Sequence, residues 1–562
     1  MRLVACACYS LFVFASLGTR VTAQPPAAIP RIDSLFTNWI APNAPGCAVG
    51  VYEGDRIAYA RGYGLANVEH GVPITSQTVF RIGGLSKQFT AFAIVLLAQD
   101  GKLALDDLAR KYVPEVPQFA GTPITIRHLL NHTSGLREFY PSQVGRLTGA
   151  VGGDVVSTRR ILDYLSHQTS LNFPTGSRFT YSNTNFTVAG EIVRRVSRQA
   201  LPVFALERIF GPLGMTHSGY MSPQAIVPRH ATAYLPSGSA WMLGEPSNEV
   251  DDGPGNANST VEDLVHWNAN LVTHRIGGES ARAMLIQRAR TTNGDSIPYA
   301  LGLQRGTFRG QDVIGHQTRF WGYQSSFLHF PAFGAGVAVL CNRPAHDSPT
   351  ALARSVATAA WPTQFAPEAA PPAPSALISP APFAGVYFDL TTRMLFQLGV
   401  SGDTVRSSFL GTMRLIGPDR YKSGSGFTFQ LLPGATITEK RLIVTNSSNP
   451  YTVPDTLVRL GSLWMPTRAD LLPYGGKYYS TELDATLTIA VAGDASDGWF
   501  LMATPHYGGA PFGLDPMQRD LFATLDAGGN VRFLSDAHGQ FPRLEVNLRG
   551  GTIGVLFDRL PR

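Results

Sequence analysis

The chain is poor in lysine, in cysteine and in charged residues generally. It has six lysines and four cysteines among 562 residues, and Asp, Glu, Lys and Arg make up 15% of it. The net charge of +6 comes from scattered arginines without a basic run or a nucleic-acid module, which argues against nucleic acid as a partner. With 44% hydrophobic residues the composition is that of a globular protein. Its length predicts about two to four domains.

The one long apolar run lies at the N-terminus. Residues 3–17 are mostly apolar, a basic residue precedes them, and the small-residue segment Val21–Ala23 follows. This layout is typical of a secretory signal peptide and predicts cleavage after about Ala23. The run is shorter than the ~20 residues that span a bilayer, which disfavours an uncleaved anchor, and no later segment predicts a transmembrane helix. We therefore expect an exported protein, periplasmic or secreted, without residues 1–23.

Two of the four cysteines remain after cleavage. Cys6 and Cys8 leave with the signal peptide, whereas Cys47 and Cys341 each lie in a strand-like pattern. Export permits a disulfide between these two, and both strands can belong to one sheet. Two buried free thiols are the alternative, and the pattern alone favours them.

The first domain has the pattern of an α+β fold. Two strand-like segments, 46–52 and 56–62, are joined at a turn. Residues 86–99 predict a helix that is apolar almost all round and therefore lies in a core. Residues 105–270 predict mainly helices and loops, and strand patterns return within 323–341. This order indicates one antiparallel sheet that is built from both ends of the domain, flanked by helices, with a helical lobe inserted.

A Pro/Ala-rich stretch at 362–382 predicts a linker that ends the first domain, 24–361. An internal repeat follows, because the string P-F-A-G-V-Y returns as P-Y-G-G-K-Y, and a Gly-Asp pair follows both copies at the same interval. Short alternating strands and Gly/Asp/Asn turns fill both copies. They predict two related antiparallel β units, 383–462 and 470–562, folded as two small barrels or as one two-part sandwich.

The first candidate site segment is Val79–Ala91, where the apolar helix begins. Lys87 lies on this helix, and the position three residues earlier, on the same helix face, is Gly84. In an acyl-transfer enzyme, a nucleophile at a helix N-terminus is exposed, and the helix dipole favours its alkoxide. A lysine three residues further on can act as its base. The alternative is a lysine that extends to solvent from a buried helix.

Two further candidate segments lie along the chain. Tyr181 and Asn183 stand two residues apart in Phe179–Phe186, so an extended backbone projects both side chains to one side. The third segment is Gly315–Arg319, and it places His316 and Thr318 at the start of a predicted strand. Alone, Tyr-x-Asn is typical of a turn with a helix cap, and a single histidine at a strand start is typical of a packed structural residue.

The three ordered motifs resemble the active site of the serine β-lactamase, penicillin-binding protein and esterase superfamily, in the branch close to class C β-lactamases. There the motifs are S-x-x-K, Y-x-N, and K-T-G or H-x-G. The resemblance covers about residues 30–345 and implies a β-lactamase/transpeptidase-like fold. The two C-terminal β units resemble lipocalin-like domains attached to some relatives.

The resemblance also implies roles for individual residues. Lys87 matches the base, Tyr181 the general acid/base, and Asn183 the partner of both the substrate and the lysine. His316 matches the basic residue of the third motif and, with Thr318, lines one wall of the site.

The backbone N–H groups of Gly84 and Arg319 match the two oxyanion donors.

This chain departs from the family pattern at two positions. Gly84 replaces the nucleophilic serine and has no atom to acylate, while Thr318 replaces a glycine and narrows the cleft. Ser86 faces another side of the helix from the lysine, and Ser134 belongs to a helix end, so neither is expected to replace the nucleophile.

Three interpretations of function follow. We favour a non-acylating relative that binds a small molecule or peptide, cell-wall-derived or containing D-amino acids, in the old cleft. The second is an esterase, D-peptidase or β-lactamase activity that uses another nucleophile or an activated water. The third is an interaction protein that acts through the β units, so that deleting everything after Pro362 abolishes function but leaves cleft binding intact. No His/Cys/Asp set has the spacing of metal ligands, and no cofactor is predicted.

Overall fold

The structure is a computed structural model. It describes residues 28–561 except for 40–42, 140, 149–155, 223–224, 245–248, 251, 345–348, 368–379, 390–392, 408–410, 418–419, 424–426, 433–440, 447–454, 497, 525–528 and 549–551. The predicted signal peptide, 1–23, lies outside the described residues, as does most of the predicted linker, 362–382. None of the described helices has both the length and the hydropathy needed to cross a membrane.

A six-stranded antiparallel sheet forms the centre of the first domain. Its strands are β1 (Cys47–Glu53), β2 (Arg56–Tyr63), β3 (Gln304–Phe308), β4 (Gln311–Phe320), β5 (Tyr323–Phe330) and β6 (Ala335–Cys341). Their order across the sheet is β3-β4-β5-β6-β1-β2, so strands from both ends of the domain meet at its middle. At the predicted turn after β1, Gly54 has a φ of 62°, which glycine adopts without strain. The predicted α+β architecture is confirmed.

Helices cover both faces of this sheet. The α-helices of the described residues are α1 (Ala28–Leu35), α2 (Ser86–Gln99), α3 (Ala109–Tyr112), α4 (Ile126–Leu130), α5 (Pro141–Thr148), α6 (Thr158–Ser166), α7 (Asn183–Ser197), α8 (Leu201–Ala205), α9 (Gly211–Leu213), α10 (Asp263–Thr273), α11 (Gly278–Ile286), α12 (Pro349–Ala360) and α13 (Arg468–Leu471). Helix α13 does not belong to the first domain but precedes the second β unit. Helices α1 and α12 pack on one face, and α2 is buried in the core on the other, as its all-round apolar pattern predicts.

Cys47 and Cys341 form a disulfide, so the favoured prediction of two free thiols is wrong. The two residues lie directly opposite each other on β1 and β6. Opposed residues on neighbouring antiparallel strands bring their side chains within bonding distance. The sequence identified both strands, but it did not show that they pair in this register.

Loss of this disulfide is expected to lower the stability of the first domain. The bond closes a loop with a sequence separation of 294 residues, and cross-links of long loops stabilise proteins by about 2–4 kcal/mol. The double variant Cys47→Ala/Cys341→Ala should therefore have a lower free energy of unfolding in urea, and a reducing agent should destabilise only the wild type. Equal stability of the two proteins under oxidising conditions would contradict this expectation.

The two C-terminal β units are two closed eight-stranded antiparallel barrels, not one sandwich. The first consists of β7 (Gly385–Asp389), β8 (Leu395–Ser401), β9 (Thr404–Ser407), β10 (Gly411–Gly417), β11 (Arg420–Ser423), β12 (Phe427–Leu432), β13 (Arg441–Asn446) and β14 (Asp455–Arg459). The second consists of β15 (Gly476–Ser480), β16 (Ala485–Asp494), β17 (Gly498–Pro505), β18 (Phe512–Gln518), β19 (Leu521–Thr524), β20 (Asn530–Leu534), β21 (Arg543–Leu548) and β22 (Thr552–Arg559).

The two barrels relate differently to the first domain. Buried apolar residues of the second barrel belong to one continuous cluster with those of the first domain, whereas the first barrel has a cluster of its own. Helix α5 packs on β16 and β17. The second barrel is therefore docked on the helical lobe through an apolar interface.

Candidate active site

The predicted S-x-x-K-like segment lies at the edge of the central sheet. The 3₁₀ turn Gly83–Leu85 leads into α2 and packs beside β4. Gly83 has a φ of 50°, and a Cβ atom there would lie only 2.9 Å from Oγ1 of Thr318. Glycine is needed at this position both for the backbone conformation and for the close approach of the threonine.

Lys87 is held inside the cleft by hydrogen bonds. Its Nζ donates to Oδ1 of Asn183 over 2.6 Å and to the carbonyl of Pro254 over 2.9 Å. The ammonium group also lies 4.6 Å from the ring centroid of Tyr181, a cation–π distance. The lysine is 1% exposed, so the alternative of a side chain that extends to solvent is excluded.

Tyr181 and Asn183 flank the start of α7, with Asn183 as its first residue. The Asn183 N–H donates to Oε2 of Glu138, which places a buried carboxylate at the N-terminus of this helix. Burial raises the pKa of Tyr181 above its ordinary value, and the charge of Glu138 adds to this. The tyrosine is therefore a neutral phenol that can donate a proton or a hydrogen bond.

His316 lies at the bottom of the cleft as an uncharged imidazole. Burial lowers its pKa to about 3, and the nearby charge of Lys87 acts in the same direction. Its Nδ1 lies 2.9 Å from the carbonyl of Gln317 and its Nε2 lies 3.2 Å from the Tyr299 hydroxyl. Nδ1 therefore carries the proton, and Nε2 accepts from the tyrosine. At the position that is basic in the resembling family, this chain has no charge at neutral pH.

The three motifs converge on Gly84. A Cβ atom there would lie 2.9 Å from Oη of Tyr181, 3.0 Å from Cε1 of His316 and 3.4 Å from Oγ1 of Thr318. The Gly84 N–H, which the sequence assigned to a ligand oxygen, donates to the Thr318 hydroxyl over 3.1 Å. Thr318, which stands where the family has a glycine, thus provides a hydrogen-bond acceptor within the protein for one of the two predicted oxyanion donors.

Arg319 provides the other predicted oxyanion donor. Trp321 and Gly322 both have positive φ and form the two-residue turn between β4 and β5, closed by the pair Phe320–Tyr323. Because hydrogen-bonded pairs alternate along an antiparallel ladder, the Arg319 N–H points away from β5, towards the Gly83–Leu85 side of the strand.

Sequence reasoning missed three buried residues beside the cleft: Tyr299, His132 and Glu138. Tyr299 and His132 pack against the ring of Tyr181, with centroids at 6.4 and 4.4 Å, and Nδ1 of His132 accepts the Ser182 N–H. His132 lies two residues before Ser134, in a segment that the sequence pattern predicts as a helix end. Nothing in the sequence marked the other two.

The hydroxyl groups of Ser86 and Ser134, the two serines near the cleft, form hydrogen bonds with neighbouring protein groups. The Ser86 hydroxyl donates to the Gly83 carbonyl over 2.6 Å and accepts the Ala257 N–H. The Ser134 hydroxyl donates to Asn185 over 2.6 Å and accepts a backbone N–H. Within the described part of the chain, no three His, Cys, Asp or Glu side chains are grouped as a metal site requires.

The geometry around position 84 and the comparisons with known proteins agree on the class of protein. The family model described as "Beta-lactamase" matches residues 32–360, which is more than half of the chain. The chain belongs to the β-lactamase family. A D-aminopeptidase of Cereibacter sphaeroides is 27% identical over 473 residues, which cover 84% of each chain.

Solved structures of the same fold extend over much of the molecule. An octameric penicillin-binding protein homologue from Pyrococcus abyssi matches 76% of this chain and 99% of its own, with a TM-score of 0.55 and 23% identity. A D-amino acid amidase from Ochrobactrum anthropi, complexed with L-phenylalanine amide, matches 60% of this chain and 99% of its own, with a TM-score of 0.51 and 22% identity. At these identities the likeness shows the fold.

Proposed function

We propose that this protein binds peptides or amides that contain a D-amino acid in the β-lactamase-type cleft without being acylated by them. The observation that carries this proposal is the surroundings of Gly84. The Tyr181 hydroxyl and the Lys87–Asn183 pair are assembled around position 84, which has no side chain to attack a carbonyl. Such an arrangement keeps hydrogen-bonding groups for a ligand and omits the nucleophile.

The names of the relatives support this ligand class. The C. sphaeroides relative is named a D-aminopeptidase and aligns across both the first domain and the β-rich region. A D-amino acid amidase shares the fold. A small D-amino acid amide therefore represents the class of ligand that we expect in the cleft. Export, which the N-terminal 23 residues predict and which the Cys47–Cys341 disulfide supports, would bring the protein into contact with cell-wall peptides.

A second candidate function is slow hydrolysis by water. A water molecule that takes the place of the missing serine hydroxyl would lie near Oη of Tyr181, because the absent Cβ position is 2.9 Å from that atom. Serine hydrolases without their nucleophile retain weak catalysis of this kind. The Gly84 N–H is bonded to Thr318, which weakens the expected stabilisation of an oxyanion and makes binding the favoured function.

Function through the barrels alone has less support. The interior of the first barrel is filled by its own buried side chains, among them Tyr387, Tyr421 and Phe429. The interior of the second barrel is filled in the same way, for example by Phe522 and Phe533. Both barrels therefore have packed cores, in contrast to barrels that enclose a ligand.

The test combines a covalent probe with a binding measurement. We expect no mass increase when the purified protein is incubated with fluorescent penicillin or a fluorophosphonate, and saturable binding of D-phenylalanine amide by calorimetry. Lys87→Met should weaken this binding roughly tenfold to a hundredfold, since it removes a charged hydrogen-bond donor. The control Lys102→Met, at an exposed position, should bind like the wild type. A covalent adduct on the wild type would overturn the proposal.

A further inference from the structure

The second barrel contacts the polypeptide segment that supports the cleft. The Thr552 hydroxyl, at the start of β22, donates to the backbone carbonyl of Glu138 in the first domain. The next residue, Ile553, donates its N–H to Oδ1 of Asn172 over 3.1 Å. These bonds join residues that are about 400 positions apart in sequence, so they form only when the barrel is docked.

A buried ion pair fixes the same segment. Arg137, which precedes Glu138, is 1% exposed, and its Nη1 donates to both carboxylate oxygens of Glu482 over 2.7 and 2.9 Å. The guanidinium also donates to the carbonyls of Ile553 and Gly554. An arginine whose three side-chain nitrogens all donate hydrogen bonds in a buried interface fixes the geometry of that interface. The barrel thus holds the backbone of residues 137–138 from one side.

Glu138 connects this interface to the cleft. Its carboxylate accepts a hydrogen bond from the N–H of Asn183, the first residue of α7. Oδ1 of Asn183 in turn accepts a hydrogen bond from Nζ of Lys87 over 2.6 Å. The bonds therefore run in an unbroken series from Thr552 of the barrel, through Glu138 and Asn183, to Lys87. Each of these four residues is at least partly buried.

We infer that Glu138 is a positioning residue of the cleft and that the second barrel, through Thr552, is a structural part of the binding site. This inference rests on the proposed function of the cleft and deepens it. It also replaces the expectation that the first domain binds its ligand without the β units. A carboxylate at the first N–H of α7 sets where Asn183 lies, and Asn183 sets the position of the Lys87 ammonium group.

The test uses full-length protein and substitutions that keep side-chain size. Thr552→Val removes the hydroxyl that bonds to Glu138, and Thr552→Ser retains it. Glu138→Gln keeps the shape of the side chain but removes its charge. The matched control is Thr524→Val, since Thr524 is also buried in the second barrel but its hydroxyl bonds to Gly529 within the barrel.

The first readout is hydrogen exchange of the peptide that contains Asn183, followed by mass spectrometry. Thr552→Val and Glu138→Gln should raise its exchange rate about tenfold, since each weakens the series of bonds that protects this N–H. Thr552→Ser and the control Thr524→Val should leave it unchanged, even where the control lowers the melting temperature. Unchanged exchange in both Thr552→Val and Glu138→Gln would overturn the inference.

The second readout is affinity for D-phenylalanine amide. It should fall about tenfold in Thr552→Val and recover in Thr552→Ser, which a general loss of stability would not produce. Equal affinity in Thr552→Val and Thr524→Val would also overturn the inference. If the wild type binds no amide while the exchange pattern is as expected, the proposed ligand class is wrong but the positioning role of Glu138 stands.

Discussion

Replacing Gly84 with serine is expected to make the protein form a covalent adduct with fluorescent penicillin. The new hydroxyl would be attached to a Cβ atom that lies 2.9 Å from Oη of Tyr181, and Lys87 lies three residues further along the chain, in the first turn of α2. The residues that match the base and the proton relay of an acyl-transfer site are therefore already beside it. The measurement is the mass of the protein after incubation with the probe, and the expected change is from no adduct to one per chain.

The rate of this labelling should depend on Thr318. The Cβ atom of the introduced serine would be tightly packed against Tyr181 and His316, and the N–H of residue 84 donates to the threonine hydroxyl. We therefore expect slow labelling in Gly84→Ser. Adding Thr318→Gly should accelerate it by up to about a hundredfold, since one oxyanion donor contributes about 10²–10³ to the rate.

Two further substitutions in the Gly84→Ser background separate the hydrogen bond from the bulk of Thr318. Thr318→Ser keeps the hydroxyl and should label as slowly as the single variant, whereas Thr318→Val removes the hydroxyl and should label faster. A Gly84→Ser protein that stays unlabelled even with Thr318→Gly would show that Lys87 and Tyr181 no longer have catalytic geometry. That result would contradict the preorganised cleft on which the proposed function depends.

Acidification from pH 7 to pH 5 is expected to remove the stability that buried, neutral histidines contribute. Burial lowers the pKa of His316 and of His329 to about 3, and it lowers the pKa of His132 as well. Between about pH 3 and pH 6.5 the unfolded chain therefore binds more protons than the folded one. The stability that these neutral histidines contribute is complete above about pH 6.5 and is lost as the pH falls. At pH 5 the loss is about 2 kcal/mol for each of His316 and His329.

Urea unfolding at pH 7 and pH 5 measures this effect. His329 is the best residue to replace, because it hydrogen-bonds Asn268 and lies outside the cleft. His329→Gln should reduce the difference in unfolding free energy between the two pH values by about 2 kcal/mol. The control His538→Gln, in an exposed loop of the second barrel, should leave the difference unchanged. A difference between pH 7 and pH 5 that is the same in His329→Gln as in the wild type would contradict the prediction.

The sequence predicted much of the first domain because the relevant signals are local. The hairpin of β1 and β2 has a turn with Gly54 between two strand patterns, and α2 is apolar all round because it is buried all round. The family resemblance depends on short ordered motifs, and it is this resemblance that pointed to Gly84, Lys87 and Tyr181. The repeat likewise predicted two β units, and closure of each into a barrel was one of two open alternatives.

The features that could not be predicted from the sequence depend on contacts between segments that are distant along the chain. Pairing of Cys47 with Cys341 requires a strand register that no local pattern specifies. The hydrogen bond from Gly84 to Thr318 joins residues that are 234 positions apart in the sequence. It forms because Gly83 and Gly84 pack closely against Thr318 at the edge of the sheet. Glu138 had no motif to mark it.

By itself, the sequence determined the family, the order of the motifs and the presence of glycine at position 84, because side-chain identity and spacing carry that information. The tertiary structure decided which atoms bond to Gly84 and that Thr552 of the second barrel bonds to the carbonyl of Glu138. The physical reason is that hydrogen bonding and burial depend on which surfaces pack together. For segments joined by hundreds of residues, packing is a property of the whole fold.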